Sequence, residues 1–290
     1  MFHSQPSGVG FSDISDRDDI PVDLHEAGQD IYTLLKTFST DIFPEFANRP
    51  LHITGESMGG HYVTGYTHYI ASRQLEDAQL GRVAEPVLNI TSAVIVDGLI
   101  DGPYAAAGYY DFFCEDWRRD GRDSPLMNAT ACEEMANAVP SCELAGAQCR
   151  QTYDKDICAW AFYHCEETIG HYFHANVKPG GWNPYDSKIF PFADVGWLTN
   201  HGFPGRLECT EPPLCSGFAS GPTLKYLNQP WVQDRLGVPG QDFKLIDFDT
   251  NVRWDAAKMV YVPVTRELTW LLDNTDIRVL VFNGNNDIIM

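Results

Sequence analysis

The sequence predicts an α/β fold with a doubly wound sheet, because helical and strand-like segments alternate along the first part of the chain. Residues 21–43 carry apolar side chains at helical spacing along one face. We predict a short buried strand at 51–54 and a second helix at 61–75. Residues 90–100 are rich in β-branched side chains and end at an Asp-Gly turn, which is typical of a central strand. This order of elements is that of a doubly wound α/β sheet.

The middle of the chain has a different composition. All eight cysteines, with many glycines, prolines and aromatic residues, fall within residues 108–217. The α/β pattern returns with a helical segment at 266–275 and a strand-like segment at 277–287. We therefore predict an α/β core that is interrupted by an inserted subdomain stapled by disulfides. The predicted parts are a first core segment at 1–104, an inserted cap at 105–262 and a returning core segment at 263–290.

The charge balance excludes some classes of partner. The chain has 40 Asp and Glu residues against 20 Lys and Arg, a formal net charge of −20, which repels nucleic acid and anionic membranes. No stretch approaches the roughly 18 apolar residues of a transmembrane helix. We predict no nucleic-acid and no membrane partner, and the acidity fits either a solvated surface or an acidic compartment.

The cysteines indicate an oxidising compartment, because an even count of eight is high for a cytosolic enzyme. Cys142, Cys149, Cys158 and Cys165 are separated by steps of 7, 9 and 7. This palindromic spacing suits nested disulfides and lacks the Cys-x-x-Cys pair of zinc sites. We therefore predict no metal and no cofactor.

Two N-glycosylation sequons begin at Asn89 and Asn128, and they agree with passage through the secretory pathway, although such tripeptides also occur by chance. The N-terminus, "MFHSQPSGVGFSD", has neither the basic nor the apolar region of a signal peptide. We expect a preceding segment that these residues do not include, and a location in the vacuole or lysosome or outside the cell.

Residues 55–59, Gly-Glu-Ser-Met-Gly, match the G-x-S-x-G nucleophile elbow in its required context of strand, sharp turn and helix. Gly55 and Gly59 are expected to let the helix pass close to the strand. The turn places the Ser57 hydroxyl at the helix N-terminus, where the dipole and the Met58 N–H favour an oxyanion. We predict that Ser57 is a nucleophile; the alternative is a glycine-rich turn whose serine only caps the helix.

A serine nucleophile needs a histidine base and a carboxylate that orients the histidine. In hydrolases with this elbow the chain order is Ser, acid, His. Asp287 follows a strand-like segment and is the candidate acid, with a turn aspartate as the alternative. No histidine follows it within residues 1–290. We interpret four others as structural or surface residues: His61, His171, His174 and His201.

Together these segments resemble the serine carboxypeptidase family, in particular its fungal carboxypeptidase Y type. The likeness extends over essentially the whole chain, and its motifs appear in the family's order: "QPSGVGFSD", "FPEF", "LHITGESMGGHYV", "DGLIDG", the cysteine cluster, "CTEPPLC", "YLNQPWVQDRLGV" and "VLVFNGNND". The resemblance implies an α/β-hydrolase fold, a doubly wound mixed sheet with a large disulfide-stapled cap. It also implies a peptidase that removes single residues from the free C-terminus of peptides, at acidic pH.

Carried over residue by residue, the resemblance makes Ser57 the nucleophile, the Met58 N–H an oxyanion donor and Asp287 the acid. The elbow glycines are Gly55, Gly59 and Gly60. The disulfide pairings that the resemblance suggests are Cys114–Cys132, Cys142–Cys165, Cys149–Cys158 and Cys209–Cys215.

Glu56 resembles the family's glutamate that receives the terminal carboxylate of the substrate. Two carboxylates in contact must share a proton, which requires acid. We therefore expect peptide affinity to fall as pH rises. The alternative for Glu56 is a solvated turn residue.

The sequence also departs from the family pattern. The "GGPG" loop, which supplies the other oxyanion donor, lies upstream of "QPSGVGF" in the family, and the histidine lies downstream of Asp287. We expect residues 1–290 alone to be poorly soluble and to have an activity lowered by several powers of ten. Met58 replaces a common tyrosine, and Met290 replaces a cysteine often found after the acid.

Two rival interpretations remain open on the sequence. An acyltransferase or esterase of the same superfamily would keep the fold and change the acceptor, but it has little use for a carboxylate-binding Glu56. A catalytically inactive fragment or non-catalytic glycoprotein is the second.

Overall fold

The computed structural model contains a three-stranded parallel sheet in the order β1, β2, β3. The strands are Leu51–Ser57 (β1), Ile90–Gly98 (β2) and Arg278–Phe282 (β3). Because all three run the same way, their carboxyl ends lie at one edge of the sheet. The structure describes residues 2–82, 87–115, 118, 123–176, 184–185, 220–244 and 246–289.

Helices account for most of the remaining described residues. Several begin at an Asp or Asn whose side-chain oxygen accepts a backbone N–H of the first turn, the usual N-cap arrangement. The helices are Leu24–Thr37 (α1), Gly59–Gln79 (α2), Gly102–Tyr110 (α3), Ala129–Thr152 (α4), Lys155–Cys165 (α5), His171–Asn176 (α6), Ser220–Leu227 (α7), Pro230–Leu236 (α8), Phe248–Ala257 (α9) and Thr265–Asn274 (α10).

The predicted α/β class is confirmed, and the order of α1, β1, α2 and β2 follows the sequence pattern. The prediction of a buried first strand is wrong. Along β1, intermediate and exposed residues alternate, and Glu56 and Ser57 are both exposed. β1 is the outer strand of the described sheet and packs through one face only. An apolar run as short as residues 51–54 does not distinguish such a strand from one that is buried on both faces.

The core of the α/β part lies between the sheet and the helices α1 and α2. One cluster joins Ala27 and Ile31 of α1 to Tyr66 and Ile70 of α2. On α2, Val63 is buried in a cluster with Ala93 and Ile95 of β2. Burying a side chain of this size contributes about 1.5–3 kcal/mol. The helix that follows Ser57 is therefore fixed on the sheet by its own apolar residues.

The segment after β2 is helical, and disulfides join its helices. Cys114 is bonded to Cys132, with the Cα atoms 5.6 Å apart. Between α4 and α5 the bridges Cys142–Cys165 and Cys149–Cys158 are nested, in the pairing that the resemblance suggests. All four of these half-cystines are fully buried. The suggested bridge Cys209–Cys215 lies outside the described residues.

The predicted division into core and cap stays a prediction. Helix α3 runs through the expected boundary at 104/105 without interruption. Ile288, which follows β3, is 4% exposed and belongs to the apolar cluster of the disulfide-bonded helices. The returning core segment is thus packed directly against the helical part of the chain.

Within the part of the chain that the structure describes, no helix combines the length and apolarity needed to cross a bilayer. In the same residues, no three His, Cys, Asp or Glu side chains are grouped in a way that could hold a metal ion.

Asp101 is expected to contribute more to stability than an ordinary helix cap. Its carboxylate caps α3 through the Tyr104 N–H and also pairs with Arg150 at 2.8 Å. Asp154 caps α5 but is exposed. We predict that D101A lowers the free energy of unfolding by about 2 kcal/mol and the control D154A by about 1 kcal/mol, measured in urea. Equal losses in the two variants would contradict the role of the ion pair.

Candidate active site

Ser57 forms a strained junction between strand and helix. It is the last residue of β1, and α2 begins only two residues later at Gly59. Its φ of +59° is in the left-handed region, which costs a non-glycine residue on the order of 1–3 kcal/mol. Such strain persists only where the surrounding structure holds it. The backbone at Ser57 therefore has the geometry of a nucleophile elbow, and the residue is exposed.

Glycines allow the close approach of strand and helix, but not at all the expected positions. A Cβ added at Gly55 would lie 2.8 Å from Val63 Cγ2, and one at Gly60 would lie 2.3 Å from the Leu99 oxygen. Both positions require glycine. A Cβ at Gly59 would meet nothing within 4 Å. The expectation that Gly59 permits the close approach is wrong, because the side-chain position of this first helical residue faces open space.

The neighbouring strand β2 holds the elbow in place. Ser57 is the register partner of Gly98, and its carbonyl accepts a hydrogen bond of 2.9 Å from the Leu99 N–H. The register shifts by one residue between Glu56 and Ser57. The chain therefore leaves the regular ladder at the position where the candidate nucleophile is needed.

Met58 and Glu56 flank the serine. Met58 is the N-cap residue of α2, and its carbonyl accepts from the N–H groups of His61 and Tyr62. A helix of 21 residues directs the positive end of its dipole toward this point. Glu56 is exposed at the carboxyl end of β1, opposite Val96. The oxyanion role of the Met58 N–H and the substrate role of Glu56 stay predictions.

Asp287 lies in the turn after β3, the strand on the far side of β2 from Ser57. Within the turn, its N–H donates to the Gly284 carbonyl and its Oδ1 accepts from the Ile289 N–H at 2.9 Å. Strands spaced by about 4.8 Å place β1 and β3 about 10 Å apart, which leaves room for a third group between serine and carboxylate. The acid role of Asp287 stays a prediction.

The turn that carries Asp287 also contacts the disulfide-bonded helices. Ile288 is buried in their apolar cluster, and its N–H donates to the Pro184 carbonyl at 2.8 Å. Burial raises the pKa of Tyr109 in this cluster well above its usual range, and the charges of Glu166 and Asp287 raise it further. The acid turn therefore lies beside a phenol that stays neutral.

His61 is a structural histidine, in agreement with the sequence interpretation. It is 1% exposed, and its Nδ1 and Nε2 lie 2.6 Å and 3.1 Å from the carbonyl oxygens of Leu99 and Val262. These contacts join α2 to the turn after β2 and to the segment before α10. Burial lowers the pKa of His61, and the carbonyls with Glu267 and Asp101 offset only part of this effect.

The other two described histidines of the sequence analysis are in the helical part. His171 packs on the ring of Tyr172, and His174 Nε2 lies 2.7 Å from a carboxylate oxygen of Glu166. His201 and Met290 lie outside the described residues.

Two further features at this edge of the sheet were not found from the sequence. Asp97, the penultimate residue of β2, accepts a hydrogen bond of 2.6 Å from the Gly284 N–H. An open, largely apolar recess of about 530 Å³ begins at Gly98 and extends past Tyr104 to Arg150. The only sequence signal for either was an aspartate at a strand end, a pattern that an ordinary turn also explains.

The parallel sheet, with Ser57 at a strand-to-helix elbow and Asp287 two strands away, is the arrangement of the α/β-hydrolase fold. Residues 1–290 match the family model described as serine carboxypeptidase over their full length. The chain belongs to the serine carboxypeptidase family.

Its relatives are considerably longer than this chain. "Carboxypeptidase Y homolog A" of Aspergillus niger is 27% identical over 289 residues, which are 100% of this chain and 44% of that protein. The protein of the same name from Botryotinia fuckeliana is 29% identical over 290 residues, 100% of this chain and 45% of its own length. The chain thus spans less than half the length of these relatives.

A solved structure has the same fold. It is the crystal structure of Kex1(delta)p, a prohormone-processing carboxypeptidase from Saccharomyces cerevisiae. The TM-score is 0.64, the sequence identity is 19%, and the match covers 98% of this chain and 56% of that chain. At this identity the match supports the fold.

Acid is expected to destabilise the fold through His61. Its pKa is 6.5 in the unfolded chain and lower in the folded one, so the unfolded state binds more protons as pH falls below 6.5. We predict that the free energy of unfolding falls between pH 7 and pH 5, and that H61Q has a flatter dependence, measured by urea unfolding at each pH. H68Q is the comparison variant: His68 is only half buried and its pKa is lowered by the same cause, so its replacement should flatten the dependence less than H61Q does. An unchanged slope in H61Q would contradict this account.

Proposed function

We propose that this chain carries the nucleophile and the acid of a serine-type carboxypeptidase. The single observation that supports this most strongly is the left-handed Ser57 at the end of β1, with α2 beginning two residues later. Asp287 follows β3, at the same edge of the sheet, in the order that this class of hydrolase uses. The family match over residues 1–290 supports the choice of reaction.

In the proposed mechanism Ser57 Oγ attacks the carbonyl carbon of the last peptide bond. Its proton passes to a histidine that Asp287 orients, and the same histidine then protonates the leaving amine. We assign this histidine to the family's segment downstream of Asp287 and to none of the described histidines. The oxyanion accepts a hydrogen bond from the Met58 N–H beside the positive end of α2. Water then releases the acyl group from Ser57.

Glu56 supplies the preference for a free C-terminus in this proposal. It precedes Ser57 at the exposed end of β1. A carboxylate that faces the substrate carboxylate binds it only when the two share a proton. The substrates are therefore peptides with a free C-terminus, bound in acid.

The same proposal includes passage of the protein through an oxidising compartment. Three disulfides among the described residues support a vacuolar or secreted protein. The two sequons are available for glycosylation: Asn89 is exposed, and Asn128 uses only its side-chain oxygen to cap α4, through the Ala131 N–H. We propose both asparagines as glycan acceptors.

The test compares a peptide that has a free C-terminus with the same peptide as a C-terminal amide, at acidic pH, using the full product of the gene. We expect stepwise release of C-terminal residues from the free peptide only. S57A should lower kcat by a factor on the order of 10⁴ or more. Cleavage of an ester together with no release from the free peptide would instead favour an esterase or acyltransferase.

Glu56 is tested by the pH dependence of KM. We predict that KM for the free peptide rises as pH is raised and the shared proton is lost, and that E56Q removes this rise because an amide donates a hydrogen bond at any pH. A blocked ester substrate, which lacks the carboxylate, is the control in both proteins. Parallel pH profiles for peptide and ester in the wild type would refute the assignment.

A further inference from the structure

Asp97 occupies the end of the central strand, between the strand that carries Ser57 and the strand that precedes Asp287. Its φ is +41°, so it is a second non-glycine residue in the left-handed region at this edge of the sheet. Aspartate tolerates this conformation better than most residues, yet the strain is of the same order as at Ser57. A strained residue beside the candidate nucleophile requires an interaction that holds it.

The side chain of Asp97 provides that interaction. Its Oδ1 accepts a hydrogen bond of 2.6 Å from the Gly284 N–H, and the two residues are 187 positions apart in the sequence. Bonds from a backbone N–H to an ionised carboxylate are short and about twice as strong as neutral ones. Gly284 is also the residue whose carbonyl accepts the N–H of Asp287. Asp97 therefore binds the base of the turn that carries the candidate acid.

The same strand end also binds the elbow. Two residues after Asp97, the Leu99 N–H donates to the Ser57 carbonyl at 2.9 Å. One short segment, 97–99, therefore contacts the residue of the nucleophile on one side and the turn of the acid on the other. Its geometry sets how far apart the two groups are.

The acid turn also contacts the helical part of the chain. Ile288 is buried among the disulfide-bonded helices and its N–H donates to Pro184. The pairing of β3 with β2 ends at Phe282, and beyond that point the contact between Asp97 and Gly284 joins the turn itself to the end of the central strand. Loss of the contact would leave the turn after Phe282 without this bond to the central strand, so the position of Asp287 relative to Ser57 would be less tightly fixed.

We propose that Asp97 is a positioning residue that fixes the turn of Asp287 relative to Ser57. The inference rests on the proposed function, since it concerns the alignment of the same two groups. What the role requires is an acceptor oxygen at the Oδ1 position. Asparagine keeps this oxygen and tolerates the left-handed backbone, whereas glycine keeps the backbone and removes the oxygen.

The test compares D97G with D97N in the full product of the gene, using a peptide that has a free C-terminus. We expect D97G to lower kcat about 10- to 100-fold, because a misplacement of about 1 Å at a catalytic group costs this much. KM should change less than about threefold, since the change affects alignment rather than binding. D97N should stay within about threefold of the wild type in kcat.

G284A is the matched control on the other side of the bond. Alanine keeps the N–H donor, and its Cβ would lie 3.6 Å from Asp97 Oδ1 and 4.0 Å from Asp287 Cβ, which is ordinary contact. We expect a kcat near that of the wild type. Thermal unfolding of each variant separates loss of alignment from loss of fold.

The outcomes distinguish the inference from the proposed function. A wild type that releases no C-terminal residue overturns the function. An active wild type with an unchanged kcat in D97G, or with equal losses in D97G and D97N, overturns the role of Asp97. If D97G does not fold, hydrogen exchange of the Gly284 amide decides: strong protection in the wild type and in D97N supports the inference, and exchange at the rate of an unstructured amide overturns it.

Discussion

The parallel pairing of three strand ends is the constraint on which the candidate site depends. Ser57 is held against Gly98 of β2 and against Leu99, the residue after it, and β2 in turn pairs with β3 up to Phe282. Because the strands are parallel, the residues that follow them emerge at one edge of the sheet. Two residues that are 230 positions apart in sequence, Ser57 and Asp287, are thereby placed at that edge with one strand between them.

This arrangement places two residues in a strained backbone conformation, which contacts from the surrounding structure must stabilise. Ser57 and Asp97 both have positive φ, at a cost on the order of 1–3 kcal/mol each. The supporting contacts come from separate parts of the chain: the ring nitrogens of His61 lie 2.6 Å and 3.1 Å from two backbone carbonyls, and the Val264 N–H donates to the Ile100 carbonyl. Strain of this kind is typical of a nucleophile elbow, in which the serine lies on a sharp turn between strand and helix.

Local patterns in the sequence were sufficient for part of this structure. The elbow motif, the helical spacing and the β-branched strand depend on neighbours in sequence, and the structure has these elements near their predicted positions. The burial of β1, the open space at Gly59 and the bond from Gly284 to Asp97 depend on residues far apart in sequence, which no local pattern reports. The nested disulfides were predictable in part. The spacing of the cysteines indicated nested bridges, and the family resemblance suggested which cysteines pair.

The most direct measurement of the central claim is the site of covalent labelling by a serine-directed phosphonate. The full product of the gene would be treated at acidic pH, digested and mapped by mass spectrometry, with the heat-unfolded protein as control. The account predicts a phosphonyl group on Ser57 in the folded protein and none after unfolding, because only the folded site brings the histidine base and the oxyanion donor to this hydroxyl. A folded protein that hydrolyses peptides while Ser57 stays unlabelled would contradict the account.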